Sequence, residues 1–138
     1  MTRDPTSAAR ILLADDHENF LATATSILEP EFAVVGAVTD GQALIDAATK
    51  LQPDVLITDI SMPVCNGIEA VKRLRDSGST ARVIFLTVHS DPDFVRAALA
   101  AGAFGYVIKT RVARDLVQAI HEALAGRVFL SPTVTAKN

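Results

Sequence analysis

Five short apolar runs alternate with five helical stripes along this 138-residue chain, and that alternation constrains the fold more than any other feature. The runs are Ile11 to Ala14, Phe32 to Val38, Val55 to Thr58, Val83 to Leu86 and Phe104 to Ile108. They are rich in Val, Ile and Leu, as strands buried on both faces must be. Between and after them, apolar residues recur every three or four positions. Phe20, Leu21, Ala24, Ile27 and Leu28 form one stripe; Val112, Leu116, Ile120 and Leu124 form another. Pro30 and Pro53 stop two of the helices, and Gly126 is a natural C-cap for the last. Strand and helix repeating at this spacing predict right-handed crossovers and a parallel sheet covered on both faces. The expected architecture is α/β: a doubly wound, five-stranded parallel sheet in the order 2-1-3-4-5, with five helices. Strands one and three then lie side by side at the topological switch point.

The composition narrows the function classes. Aromatics are only 5% and Trp is missing, so the core must be aliphatic. A net charge of -3 gives no electrostatic reason to bind nucleic acid. No run of eighteen apolar residues suits a membrane span, and MTRDPTSAAR lacks the apolar stretch of a signal peptide. The single cysteine, Cys65, cannot form an internal disulfide and fits a cytoplasmic location.

The strand ends carry the chemistry. Strand one ends in Asp15 and Asp16, strand three in Asp59, strand four in Thr87 and strand five in Lys109. In a doubly wound sheet these carboxyl ends share one edge, where such sheets bind ligands. Singly, each has a plainer reading. Asp15 and Asp16 suit helix capping, Asp59 a turn, Thr87 a strand and Lys109 a solvated surface. Together, three carboxylates repel one another unless a cation neutralises them. A hard divalent ion such as Mg²⁺ takes one or two carboxylates and leaves positions for water and phosphate oxygens. A carboxylate can also act as a nucleophile and form an acyl phosphate, with Lys offsetting the developing charge. No catalytic triad, Gly-rich phosphate loop or Cys/His metal spacing competes with this reading.

The strings LLADDH, DVLITDISMPVCNGIEA, IFLTVHSD and AALAAGAFGYVIKT, with the later LSP, resemble the receiver domain of two-component response regulators. The resemblance runs from about Ile11 to Pro132 and is nearest to the NarL/FixJ branch, which carries LuxR-type output domains. It implies the flavodoxin-like receiver fold and a phosphoacceptor that takes a phosphoryl group from a sensor histidine kinase. By that resemblance Asp59 is the phosphoacceptor, and Thr87 and Lys109 contact the phosphoryl group. Asp15, Asp16, Asp59 and the Ser61 backbone carbonyl hold Mg²⁺, with Asp15 acting largely through a metal-bound water. Tyr106 matches an aromatic switch position that turns inward as Thr87 moves. Ser61 and His89 match positions that tune phosphoryl lifetime, whereas His17 reads as a solvated loop residue and Cys65 as a plain loop thiol.

The resemblance further implies control of transcription through a helix-turn-helix domain that these residues do not include, so DNA binding is expected only of that domain. Residues 1–9 are expected to be a flexible tail, 10–126 the receiver domain, and 127–138 a C-terminal tail or the start of a linker. A phosphorylation-dependent homodimer would use the fourth helix, fifth strand and last helix, or the first and last helices. No enzymatic turnover is expected beyond self-phosphorylation and self-dephosphorylation. Two competing readings are a Mg²⁺-dependent phosphohydrolase with an aspartyl nucleophile and a stand-alone receiver acting by protein binding. Such hydrolases commonly carry an acid two residues after the nucleophile, where this chain has Ser61.

Overall fold

A computed structural model describes residues 8–88 and 91–131. The strands are β1 (Arg10–Ala14), β2 (Ala33–Val38), β3 (Val55–Asp59), β4 (Arg82–Thr87), β5 (Gly105–Ile108) and β6 (Phe129–Leu130). The helices are α1 (Glu18–Leu28), α2 (Gly41–Leu51), α3 (Gly67–Asp76), α4 (Pro92–Ala100) and α5 (Val112–Leu124), with a 3-10 turn at Lys109–Arg111. All strand pairs are parallel, in the order β2-β1-β3-β4-β5-β6.

Period-two alternation sorts the strand residues into two cores. Leu12, Leu56, Val83, Phe85 and Tyr106 pack on one face with Leu44, Val71, Val95 and Ala98 of α2, α3 and α4. Ile11, Leu13, Ile57, Ile84 and Val107 pack on the other with Leu21 and Leu28 of α1 and Leu116 and Ile120 of α5. Each buried aliphatic side chain stabilises the fold by roughly 1.5–3 kcal/mol before entropy is counted. Helix starts are fixed locally. The Asp40 carboxylate accepts from Ala43 N at 2.8 Å, Asn66 from Glu69 N at 2.9 Å and Asp91 from Asp93 N at 2.8 Å. Each such cap contributes about 1 kcal/mol.

The expected fold is corrected in one respect: the sheet has six strands, not five. Phe129–Leu130 lies within the segment read as a tail and pairs with Gly105 and Tyr106 of β5. Two residues are too few to show a period, so the pattern that revealed the other strands is missing here. The pairing is extended by Phe129 N donating to Phe104 O at 3.0 Å and Ser131 N to Tyr106 O at 2.9 Å. Consequently β5 is an interior strand and not the sheet edge.

The loop from β3 to α3 is held tightly against the strand end. Gly67 N donates to Ile60 O at 2.7 Å, and a Cβ at Gly67 would lie 2.1 Å from the Asp59 carbonyl oxygen. Only glycine lets α3 begin so close to the end of β3. In the same loop Val64 has φ of 72°, and Cys65 N donates back to Pro63 O at 2.8 Å, closing a γ-turn. A β-branched residue in the left-handed region is strained, and this one lies beside the strand ends that carry the polar residues.

Candidate functional site

The polar residues at the strand ends converge. Asp15 follows β1 and is buried; Asp59 ends β3 and is buried; Thr87 ends β4 and is fully buried. Lys109 opens the 3-10 turn directly after β5. Its Nζ lies 2.5 Å from Asp15 Oδ2 and 3.0 Å from Asp59 Oδ2. The ammonium therefore bridges two carboxylates that would otherwise repel each other. Asp59 Oδ1 accepts from Ser61 N at 3.3 Å, which orients the carboxylate.

Asp16 is exposed and stands at the rim, where His17 links the two adjacent acids. His17 Nδ1 lies 3.1 Å from Asp15 Oδ1 and 3.0 Å from Asp16 Oδ1, and His17 N donates to Asp15 Oδ1 at 2.8 Å. His17 is exposed, as a loop residue should be, yet its ring faces the acids. Phe20 on α1 lies beneath the lysine, with Lys109 Nζ 4.7 Å from the ring centroid. A cation over an aromatic face at this range is attracted by the ring quadrupole.

Burial shifts the titration of this group. Desolvation raises the Asp59 carboxyl above its ordinary value of 3.8; the Lys109 contact opposes this only in part, and Asp15 adds to it. Burial alone would lower Lys109, but Asp15 and Asp59 more than offset it and the ammonium is held above 10.5. Lys109 is thus a fixed positive charge at neutral pH. Tyr106, fully buried in β5, is pushed up to about 12 by desolvation and then by the Asp91 charge, so its hydroxyl stays protonated.

The donor set suits a hard cation. Ligand atoms of Asp15, Asp16, His17 and Asp59 all lie within 4.8 Å of one another. Asp15 Oδ2 is buried and faces the Lys109 ammonium at 2.5 Å, so that oxygen is already neutralised, and the openness of the cluster to a further cation rests on its remaining carboxylate oxygens. Carboxylate oxygens at this density match Mg²⁺ better than a soft metal.

Asp15, Asp16, Asp59, Ser61 and Lys109 are thus brought to one edge, with Thr87 on the adjoining strand end. Tyr106 is on the neighbouring strand, buried in the core face. His89 lies outside the described residues. Phe20 belongs to the apolar stripe of α1, and its spacing carries no sign of the lysine it meets. The contact of His17 with both acids is likewise not expected of a solvated loop residue; its position straight after Asp15 and Asp16 is the only sequence signal for it.

A family model described as the response regulator receiver domain matches residues 11–121. The chain belongs to that family. It is 35% identical over 129 residues to the nitrate/nitrite response regulator protein NarL of Escherichia coli, covering 92% of this chain and 60% of that protein. The chain thus spans about three-fifths of that curated relative. A two-component response regulator of the LuxR family from an Aurantimonas species superposes with a TM-score of 0.88 at 36% identity, covering 93% of each chain. The isolated receiver domain of RcsB from Salmonella enterica, solved with a phosphomimetic, superposes with a TM-score of 0.85 at 32% identity, covering 93% and 96% of the two chains. This receiver domain is therefore similar to receivers of NarL/LuxR-type regulators in both sequence and fold.

Proposed function

We propose that Asp59 is the phosphoacceptor of this receiver and takes its phosphoryl group from a phosphohistidine on a sensor kinase. The observation that carries the reading is the pairing of a buried Asp59 with the Lys109 ammonium at 3.0 Å, beside a second acid at 2.5 Å from the same ammonium. A buried nucleophile is restrained by a fixed cation that can transfer its contact to an incoming phosphoryl oxygen. An Asp59 carboxylate oxygen attacks phosphorus, the phosphorus–nitrogen bond breaks, and the leaving imidazole keeps its electron pair and takes a proton from solvent. Lys109 then bonds a phosphoryl oxygen, and the Thr87 hydroxyl donates to another. Asp15, Asp16, Asp59 and the Ser61 carbonyl would hold Mg²⁺, which when bound neutralises charge on the transferring oxygens.

Thr87 and the buried Tyr106 lie on adjacent strands, and their movement gives the receiver two surfaces for its partners. Ser61 and His89 set the lifetime of the acyl phosphate. The partners are a sensor histidine kinase, a second copy in a phosphorylation-dependent homodimer, and DNA through an output domain. The setting is cytoplasmic; no described helix is long and apolar enough to cross a membrane. Incubation with Mg²⁺ and a small acyl-phosphate donor tests the reading. One phosphoryl group per wild-type chain and none on Asp59→Asn is expected; equal labelling of both would refute it.

A further inference from the structure

A third buried carboxylate stands apart from the acidic cluster. Asp115, in the first turn of α5, is only 4% exposed. Its Oδ2 accepts from Arg111 Nε at 2.8 Å and from Ser131 Oγ at 2.8 Å. Ser131 has no exposed surface. Its Oγ also accepts from Ile108 N at 3.1 Å, and its own N donates to Tyr106 O at 2.9 Å. One serine thus contacts β5 at two points and α5 at a third. This is the serine of the LSP string, to which the phosphoryl chemistry assigns no role.

The placement matters because of what lies between these contacts. Ile108 immediately precedes Lys109. Arg111 closes the 3-10 turn that Lys109 opens. The backbone carrying the site lysine is therefore pinned on one side by Ser131 and on the other by Arg111, and both pins end on Asp115. A strand of two residues cannot hold itself in place. A buried hydroxyl bonded to a buried carboxylate supplies what the short β6 ladder lacks, because leaving either group unpaired costs about 1–3 kcal/mol.

We infer that Asp115 and Ser131 form a latch that positions Lys109 and couples phosphoryl binding at Asp59 to the order of Phe129–Ser131. The inference rests on the phosphoacceptor reading above. Neither residue touches the reacting atoms; both act through the backbone of Ile108 and the side chain of Arg111. Coupling of this kind is reciprocal. If the latch places Lys109 for the phosphoryl group, then phosphoryl occupancy tightens the latch.

The test uses the full chain, Mg²⁺ and beryllofluoride as a phosphoryl mimic, with Ser131→Ala and Asp115→Asn as variants. Ser131→Ala removes one oxygen and leaves the backbone pairing intact, so cooperative unfolding should persist. Asp115→Asn keeps an acceptor for Ser131 but removes the charge opposite Arg111. In the wild type, beryllofluoride should slow hydrogen exchange at the Phe129 and Ser131 amides. Ser131→Ala should exchange at least tenfold faster at those positions and bind beryllofluoride threefold to tenfold more weakly. Asp115→Asn should fall between. Faster exchange with affinities of both variants within twofold of wild type would reduce the contact to local structure and overturn the coupling. A wild type that binds no beryllofluoride would instead refute the phosphoacceptor reading itself.

Discussion

Replacing Lys109 with Met removes the cation between two buried carboxylates and keeps most of the side chain's length. At an effective dielectric of about 20, each of its contacts, at 2.5 and 3.0 Å, has a gross attraction of roughly 6 kcal/mol. Desolvation of three charges offsets most of that sum, so it is no measure of net stability. Removing one partner is different, because the charges left behind keep their desolvation cost. The side chains of Lys109, Asp15 and Asp59 are 12%, 2% and 7% exposed, so solvent screens them little. The expected loss at pH 7.5 without Mg²⁺ is about 3–5 kcal/mol.

The pH dependence follows from the same charges. Without Lys109 the Asp59 carboxyl rises further above its ordinary value, so the destabilisation is fully present at neutral pH. It shrinks as the pH falls and the acids protonate. At the alkaline end, the raised Lys109 contributes stability that is complete below 10.5 and is lost as the pH climbs through its folded value. Urea denaturation of wild type and Lys109→Met at pH 7.5 and pH 4 measures the effect. Millimolar Mg²⁺ should restore more stability to the variant than to the wild type, because a divalent cation then replaces the lost ammonium. Equal stabilities at pH 7.5, or a gap that widens toward acid, would refute the reasoning.

Further perturbations probe other parts of the structure. Asp59→Asn should raise the urea midpoint at pH 7.5 and leave it unchanged near pH 3. The raised Asp59 value means that ionising this group costs folding energy, a cost absent below 3.8 and complete above the folded-state value. Gly67→Ala should lose about 1–3 kcal/mol in the same assay and lower the labelling of Asp59, since a Cβ there meets the Asp59 carbonyl oxygen at 2.1 Å. Val64→Asn should gain about 1 kcal/mol, because asparagine tolerates the φ of 72° that strains valine.

The strands that position the site were legible because each is an apolar run closed by a residue of unlike chemistry. Val55 to Thr58 leading into Asp59 announces both a buried strand and the place where it leaves the core. The order of β1 to β5 followed from the alternation with helices, and the convergence of Asp15, Asp16, Asp59 and Lys109 followed from that order. What escaped has a common cause. Phe129 and Leu130 form a strand only because β5 offers an unpaired edge, and Ser131 is buried only because Asp115 receives it. A period in the sequence reports which face of α5 is apolar. It does not report that a later segment will cover a carboxylate on its flank. Phe20 obeys the helical period that marks a core position, and nothing in its spacing shows that its ring meets Lys109.

The most direct measurement is the chemical location of the phosphoryl group. After labelling in Mg²⁺, borohydride reduction converts an aspartyl phosphate to homoserine, which peptide mass spectrometry places to a residue. Conversion at position 59 alone, abolished by a chelator, is the predicted result. Conversion at another carboxylate, or undiminished labelling of position 59 in chelator, would contradict the proposed acidic Mg²⁺ site built around Asp59 and Lys109.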